Sequence, residues 1–267
     1  MRRISSALIV GLVSMVGLLP LLFLILLSLK GRVDAVSSSF LFHPTLKNYI
    51  HAFDVEFAAP ALANSMIISV LSSGFGAALA IPSAFWFSRA TLRAREGMLF
   101  SVVAVRMLPP IGILVPIYLW FRYLGLLDSR LGLVLILTAT NTVFSTWMLK
   151  GFFDLVPTQF EESAQMDGAS LLRALWDVVL PTILPGLLMT VFFTFVASWN
   201  EFLFALTLAP YNARTLSVII PSLVTPQGTQ WGELAALSVI STAPIVGVAL
   251  IAKNYFSRYL LATAARL

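Results

Sequence analysis

Cysteine is absent from the 267 residues, and charge is scarce. The first absence excludes disulfides and thiolate metal sites and says nothing of compartment. The second says more. Asp, Glu, Lys and Arg supply 11% of the chain, against about 25% in soluble domains, while 59% is hydrophobic and the mean hydropathy is +0.93. A soluble globular domain does not fit. A Gly-x-x-x-x-Gly-Lys-Ser/Thr phosphate loop is also missing, since Lys30, Lys47, Lys150 and Lys253 all have other neighbours, so this chain does not bind and hydrolyse ATP in that way. No Ser/His/Asp constellation, metal-ligand cluster or channel filter motif stands out. No basic run interleaves with aromatics, so nucleic acid is not an expected partner. The net charge of +5 is better explained by cations collecting at membrane flanks.

What is present is a series of apolar windows. Ile4–Leu29, Phe57–Ser88, Gly97–Phe121 (interrupted by Arg106), Leu131–Leu149, Val178–Asn200 and Leu234–Ala252 each suffice to cross a bilayer as a helix of about 18 residues or more. They predict an all-α, polytopic membrane protein with six transmembrane helices, near 7–29, 62–87, 98–121, 131–150, 183–207 and 234–256. The whole of 1–267 is expected to form one domain in the lipid bilayer. Thr215–Gly232 is uncharged but broken by Pro221, Pro226 and Gln227-Gly228-Thr229-Gln230, which predicts a structured loop or re-entrant edge. Arg2-Arg3 ahead of an apolar run imitates a signal peptide. That run is about twice the usual length and lacks a small-x-small site before Lys30, so it is expected to remain as a span.

Six spans place both termini on one side. That side would carry Arg2, Arg3, Arg89, Arg93, Arg95, Lys150, Arg173, Lys253, Arg258 and Arg266. The other would carry Lys30, Arg32, Lys47, Arg122, Arg130 and Arg214. Ten cations against six predicts cytoplasmic termini by the positive-inside rule. The segment 154–181 then faces the cytoplasm too.

That segment is too long for a simple turn. Thr158 followed by Glu161 suggests a capping box, and Gly168 suits a left-handed C-cap. A helix of barely three turns is unstable alone in water and must be docked against something. A second helix is expected from about Ser170 through Trp176, with Pro181 and Pro185 marking its end. Physics alone leaves two readings open: a helix offered to a partner's groove, or a linker lying on the membrane surface.

Glu162-Ser163-Ala164, Gly168, Val178, Leu180 and Pro181 match E-A-A-x-x-x-G-x9-I-x-L-P, with Ser163 and Val178 as size-preserving departures. The pattern resembles the signature of permease subunits in ATP-binding-cassette importers. Asn48-Tyr49, Asn64-Ser65, Arg89, Arg106-Met107-Leu108-Pro109-Pro110, Gly125-Leu126-Leu127-Asp128 and Ser198-Trp199-Asn200-Glu201-Phe202 are similar to the maltose/multiple-sugar branch of that family. Tyr259–Leu267 lacks the glycine-rich ending common there. The resemblance implies a type I importer permease fold in the inner membrane. It implies a second, different permease, two copies of an ATPase that bind ATP and Mg, and an extracytoplasmic solute-binding protein. This chain would hold no cofactor and no metal and would not be an enzyme. Glu161, Glu162, Ser163, Ala164, Asp167 and Gly168 would couple to the ATPase, with Leu180 and Pro181 setting the exit angle. The expected mechanism is alternating access for a sugar or sugar-like solute. A secondary carrier is the alternative, and it has no use for a coupling loop.

Ionisable groups at membrane depth are costly and so are site candidates. Arg106 lies roughly 12 Å into the third span and Glu201 roughly 27 Å into the fifth, on 1.5 Å per residue. Straight helices would keep them at different depths, so they are not assigned as a pair, and Arg106, a pathway-lining residue or an internal staple of the third helix, is expected to meet a carbonyl freed near Pro109-Pro110 or a group on the partner permease. Trp199, Asn200 and Glu201 combine stacking with paired hydrogen bonds, chemistry that suits a sugar in a pathway, or else form an interfacial belt. Asn141 is a weaker pathway candidate that also suits an interhelical hydrogen bond. Ser72, Ser73, Gly74 and Gly76 read as close helix packing. His43 and His51, beside Asp54 and Glu56, read as solvated loop residues.

Overall fold

The structure, a computed structural model, describes residues 2–37, 41–54, 58–226 and 228–264, with side chains over 11–37, 41–53, 58–226 and 228–253. Glu56, Gln227, the side chains of Asp54, Arg2, Arg3, Arg258 and Arg266, and the detail of the tail from Tyr259 lie outside the described residues. Contacts divide the chain into two compact units: Met1–Ala63 with Arg214–Val246, and Asn64–Ala213 with Gly247–Leu267.

In the first unit, α1 (Arg2–Ser28) leaves Leu12, Val13, Met15, Val16, Leu22 and Phe23 more than half exposed. An apolar surface of that extent calls for lipid or another chain. Its C-terminal end is closed by α2 (Lys47–Asp54). Asn48 Nδ2 donates to the carbonyls of Ser28 and Lys30, each at 2.7 Å, which satisfies groups that a helix end leaves orphaned. Tyr49 adds a hydroxyl contact with Ser28 Oγ at 2.7 Å. Asn48 also packs on Gly232, where a Cβ would fall 2.7 Å from its amide. His51 is therefore no free loop residue: it sits on α2, with Nδ1 3.2 Å from Glu233 Oε1. Thr215–Gly232 is structured as expected, with α12 (Leu216–Ser222) and an antiparallel hairpin of β1 (Val224–Thr225) and β2 (Gly228–Thr229). This hairpin is a small departure from the all-α expectation. The last helix is α13 (Trp231–Ala264).

The second unit is built on α3 (Ala58–Arg89, from Asn64 onward), α6 (Arg130–Asp154) and α10 (Leu184–Trp199). Small and hydroxylic residues let their backbones approach, as suits helices that cannot rely on hydrophobic expulsion from water. Ser72 Oγ and Asn141 Nδ2 both donate to Ser198 Oγ, at 2.9 and 2.8 Å, joining three helices at one buried point. Gly76 faces Asn141, and Gly186 faces the Phe152 ring. Gly74, by contrast, has open space. A core of Ala80, Ile81, Ala84, Phe85, Leu149, Phe153, Val156, Leu175, Val179 and Ile183 closes the end of this unit.

Among the described residues four helices are long and apolar enough to cross a membrane, and two bent pairs would bring the total to six. One bend interrupts the third expected span, and the other falls where the fifth was expected to begin. The third divides into α4 (Arg95–Val105) and α5 (Pro110–Tyr123), inclined at 78°. Pro109 is extended, at ψ 123°, and Pro110 starts the new helix, since neither proline supplies the N–H that continuity needs. At the other, α8 (Leu171–Ala174) runs through a π turn (Leu175–Val179) into α9 (Leu180–Thr182) before a 78° bend at Ile183. The loop helix thus continues past Trp176 and contains Pro181, with Pro185 in the first turn of α10. The π turn accommodates Pro181: the Leu180 N–H bonds to Leu175, five residues back. The fifth expected span, 183–207, is also interrupted. Asn200 ends α10, and Glu201 Oε1 accepts the Phe204 N–H at 2.8 Å, capping α11 (Leu203–Leu208).

Gly76→Ala places a methyl 2.8 Å from Asn141 Cβ and should cost about 1–3 kcal/mol by overpacking. Gly74→Ala, with nothing within 4 Å, should be neutral or stabilising by up to about 1 kcal/mol through helix propensity. Thermal unfolding of the detergent-solubilised pair measures the difference, and equal midpoints would refute this packing.

Candidate functional site

Between α6 and α10 lies the short helix α7 (Gln159–Met166), two turns long. The expected capping box is not formed. Thr158 has helical torsions and makes no side-chain cap, and the Glu161 carboxylate that would complete the box is engaged elsewhere. That carboxylate is buried, and Arg89 at the end of α3 grips it, with Nε at 2.8 Å and Nη2 at 2.6 Å from Oε1. The same guanidinium donates to the carbonyls of Phe153 and Val156 at 3.2 and 2.9 Å, where α6 ends. Ser88 Oγ, itself a 3.0 Å acceptor from Arg89, donates to Asp154 Oδ1 at 2.6 Å, and Lys150 closes the chain on Asp154 Oδ2 at 2.7 Å. One arginine therefore fixes three elements. Nothing in local spacing shows that residues 72 apart would pair, although Arg89 was already part of the family resemblance.

The other face of α7 is free for contact. Glu162, Ser163, Asp167 and Gly168 are exposed, Ala164 is half-buried, and Phe160, Met166, Leu171 and Leu172 surround them as exposed apolar side chains. Gly168 ends the helix at φ +88°, as its expected C-cap role requires. Ser170 Oγ then caps α8 by accepting the Arg173 N–H at 3.3 Å. Leu175, Val179 and Ile183 anchor this side in the core, with Leu180 packed against it and Pro181 exposed.

Two helix breaks create the second arrangement. Arg106 sits at the α4–α5 break and Glu201 at the α10–α11 break, so both line one cavity of about 490 Å³ together with Asn141 and Ser198. Straight helices were expected to keep Arg106 and Glu201 apart; the breaks let both line this cavity, with no ion pair between them among the described contacts. Arg106 also bypasses the proline-freed carbonyls: it donates to Thr140 O at 3.4 Å and lies 4.9 Å from the Phe144 ring centroid. Trp199 does not join the cavity and is no interfacial anchor, being 2% exposed and stacked on Phe195 at 5.7 Å. Asn200 turns back to cap Val196 O at 2.9 Å. Of Arg106, Asn141, Trp199, Asn200 and Glu201, the structure brings the first two and the last together.

A third arrangement went unread in the sequence. Asp128, in the left-handed region at φ +53°, accepts the backbone N–H groups of Tyr211 and Asn212 at 3.0 and 2.8 Å and the Asn212 amide at 2.6 Å. Partial burial raises the Asp128 carboxyl pKa, and these donors outweigh it, so the net shift is downward. Beside it, Arg130 Nε donates to Asn64 Oδ1 at 2.6 Å, and Asn64 Nδ2 donates to Asn212 O at 3.2 Å.

Residues 72–261 match the family described as the binding-protein-dependent transport system inner membrane component. The trehalose/maltose transport system permease protein of Thermococcus litoralis is 31% identical, covering 96% of this chain and 95% of that protein. The sulfoquinovosyl glycerol transport system permease protein of Agrobacterium fabrum is also 31% identical, over 86% and 82%. A crystal structure of a bacterial ABC transporter involved in the import of the acidic polysaccharide alginate superposes with a TM-score of 0.77, at 22% identity and 95% coverage of both chains, which shows the fold.

Arg89→Ala strands the Glu161 carboxylate in the interior and should cost about 3–5 kcal/mol, while Arg89→Met with Glu161→Leu should recover most of that loss. Thermal unfolding of the single and double variants tests this. For Asp128 the lowered folded pKa means stability present above the unfolded value of about 3.9 and lost as pH falls through the folded value. Acid-induced opening of 209–213, followed by hydrogen exchange, should begin below the ordinary carboxylate range, and Asp128→Asn should abolish that pH dependence.

Proposed function

The chain belongs to the binding-protein-dependent transport system inner membrane component family and is a permease subunit of an ABC importer; from that premise we propose that it forms half of the translocation path for a sugar or sugar-like solute. The names of its relatives support a sugar, since they include a trehalose/maltose and a sulfoquinovosyl glycerol permease. The path runs through six spans, with each bent pair counted as one, and the whole chain acts as a single permease domain. Its partners are a different permease, two ATPase copies that supply ATP and Mg chemistry, and an extracytoplasmic binding protein.

The observation that carries the reading is the mounting of α7. Glu162, Ser163, Ala164, Asp167 and Gly168 present a polar face framed by apolar side chains, which suits a cleft on an ATPase. Glu161 acts from behind that face, through Arg89, to hold the helix to α3 and α6. A push on α7 is then delivered to packed helices as a rigid-body displacement, the kind of switch that alternating access needs. The cations Arg89, Arg93, Arg95, Lys150 and Arg173 flank this region, in support of a cytoplasmic location with both termini on the same side. The cavity bordered by Arg106, Asn141 and Glu201 is the part of this chain placed along the path, and Ser198 joins it. Trp199 and Asn200 shape the wall from behind.

Co-expression with neighbouring transport genes and mild purification should recover one different permease and two ATPase copies. In that complex Glu162→Lys, which reverses a charge on the exposed face, and Gly168→Pro, which cannot hold φ +88°, should abolish stimulated transport while the chain still inserts. Transport at the unaltered rate in both variants refutes the coupling role.

A further inference from the structure

Two pockets of the second unit lie outside the translocation reading, at the end where Arg89 mounts α7. The first, of about 460 Å³, is formed by the turn between α3 and α4 and is bordered by Arg89, Thr91, Arg93, Arg95 and Glu96. Arg89 is spent on Glu161 and on backbone carbonyls. Arg93 is exposed, with no hydrogen bond or ion pair among the described residues. Arg95 uses only Nη1, on the carbonyls of Ser88 and Ala90 at 3.3 and 3.0 Å, so Nε and Nη2 remain available. Glu96 is exposed and pairs with neither of these arginines. The second pocket, of about 560 Å³, is a largely apolar trough walled by Leu99, Phe144, Trp147, Met148, Phe152 and Phe193. Trp147 is 54% exposed within it. Lys150 and Asp154 also line it, but they are already paired with each other at 2.7 Å. Two features join the pockets. Arg95 and Leu99 are one turn apart on the same face of α4. Ser88 Oγ, which accepts from Arg89, donates to Asp154 at 2.6 Å, so a single hydroxyl links the two borders.

From this we propose that the two pockets form one site for an anionic phospholipid. Its phosphate sits between Arg93 and Arg95, beside the Thr91 hydroxyl, and one acyl chain lies in the trough against Leu99, Trp147 and Phe193. A guanidinium fork suits phosphate oxygens, and each cation near a headgroup adds to its attraction. The setting favours this occupant, because the chain is an inner membrane component and acyl chains and headgroups surround it. Arginines present only to orient the chain would need no apolar trough beside them. Leu92 and Phe100, 55% and 69% exposed, extend the apolar surface around the same turn. The site goes beyond the sugar-import reading and does not depend on which solute is carried. A lipid held there rests against Arg89, the residue that fixes α7.

The test places the permease–ATPase complex in phosphatidylcholine nanodiscs with increasing phosphatidylglycerol and counts retained lipid by native mass spectrometry. Phosphatidylglycerol should be retained in preference to phosphatidylcholine. Arg93→Gln should lower that retention by about fivefold, and Arg93→Gln with Arg95→Gln further. Arg173→Gln, which removes an exposed arginine elsewhere on the same flank, should leave it unchanged. If the double variant fails to assemble, Arg93→Gln carries the comparison, since Arg93 holds no other group. The chain has no cysteine, so Trp147→Cys carrying a benzophenone maleimide, read against the unaltered chain, reports what fills the trough. It should label lipid. Equal retention of both lipids, displacement of phosphatidylglycerol by inorganic phosphate, an equal loss with Arg173→Gln, or labelling of a partner protein from position 147 overturns the site. None of these outcomes touches the importer reading, which stands or falls on recovery of the ATPase.

Discussion

The constraint on which the rest depends is the burial of Glu161. A carboxylate inside a protein is tolerable only when it is paired and hydrogen-bonded, and Arg89 does both. The remaining donors of that guanidinium go to the carbonyls of Phe153 and Val156, which the end of α6 leaves open. The pair therefore serves less as a source of net stability than as a register pin. With it made, α7 has one position relative to α3 and α6. A two-turn helix, which would melt alone, becomes a fixed projection.

Rigidity around that pin comes from side chains suited to close approach. Ser72, Asn141 and Ser198 meet at one oxygen, and Gly76 and Gly186 let neighbouring elements into contact. Leu175, Val179 and Ile183 carry the same continuity from the loop into the core. A displacement at α7 is therefore passed on by packed groups, with little slack to absorb it.

A proline pair and a capping carboxylate decide where the continuity stops. Pro109-Pro110 breaks one apolar stretch, and Asn200-Glu201 ends another, where a carboxylate caps the helix that follows. Each break turns a polar side chain inward, and the two breaks meet at a single cavity. Irregular backbone at such depth is tolerated where it lines a cavity or lies buried in protein.

Much was legible in the chain alone, because it depends on composition and local spacing. Apolar runs longer than a bilayer needs announced the helices, and the spacing from Glu162 to Pro181 announced the docked loop. Gly168 declared its left-handed cap, because only a residue without a Cβ holds φ +88° at no steric cost. Pairings across long separations were not legible, since no local rule joins Arg89 to Glu161, Asp128 to Asn212 or Arg130 to Asn64. Nor was the direction of each side chain at a break, since Arg106 and Glu201 line one cavity only through the interruptions of their helices. Composition and local spacing were enough for the helical segments, the short helix after α6 and the turn at Gly168, since these follow from local torsional and solvation preferences. Which charges meet and which polar groups share a cavity followed from the tertiary arrangement, because the 78° bend at Arg106–Pro109, the break at Asn200–Glu201 and the burial of one carboxylate set those distances.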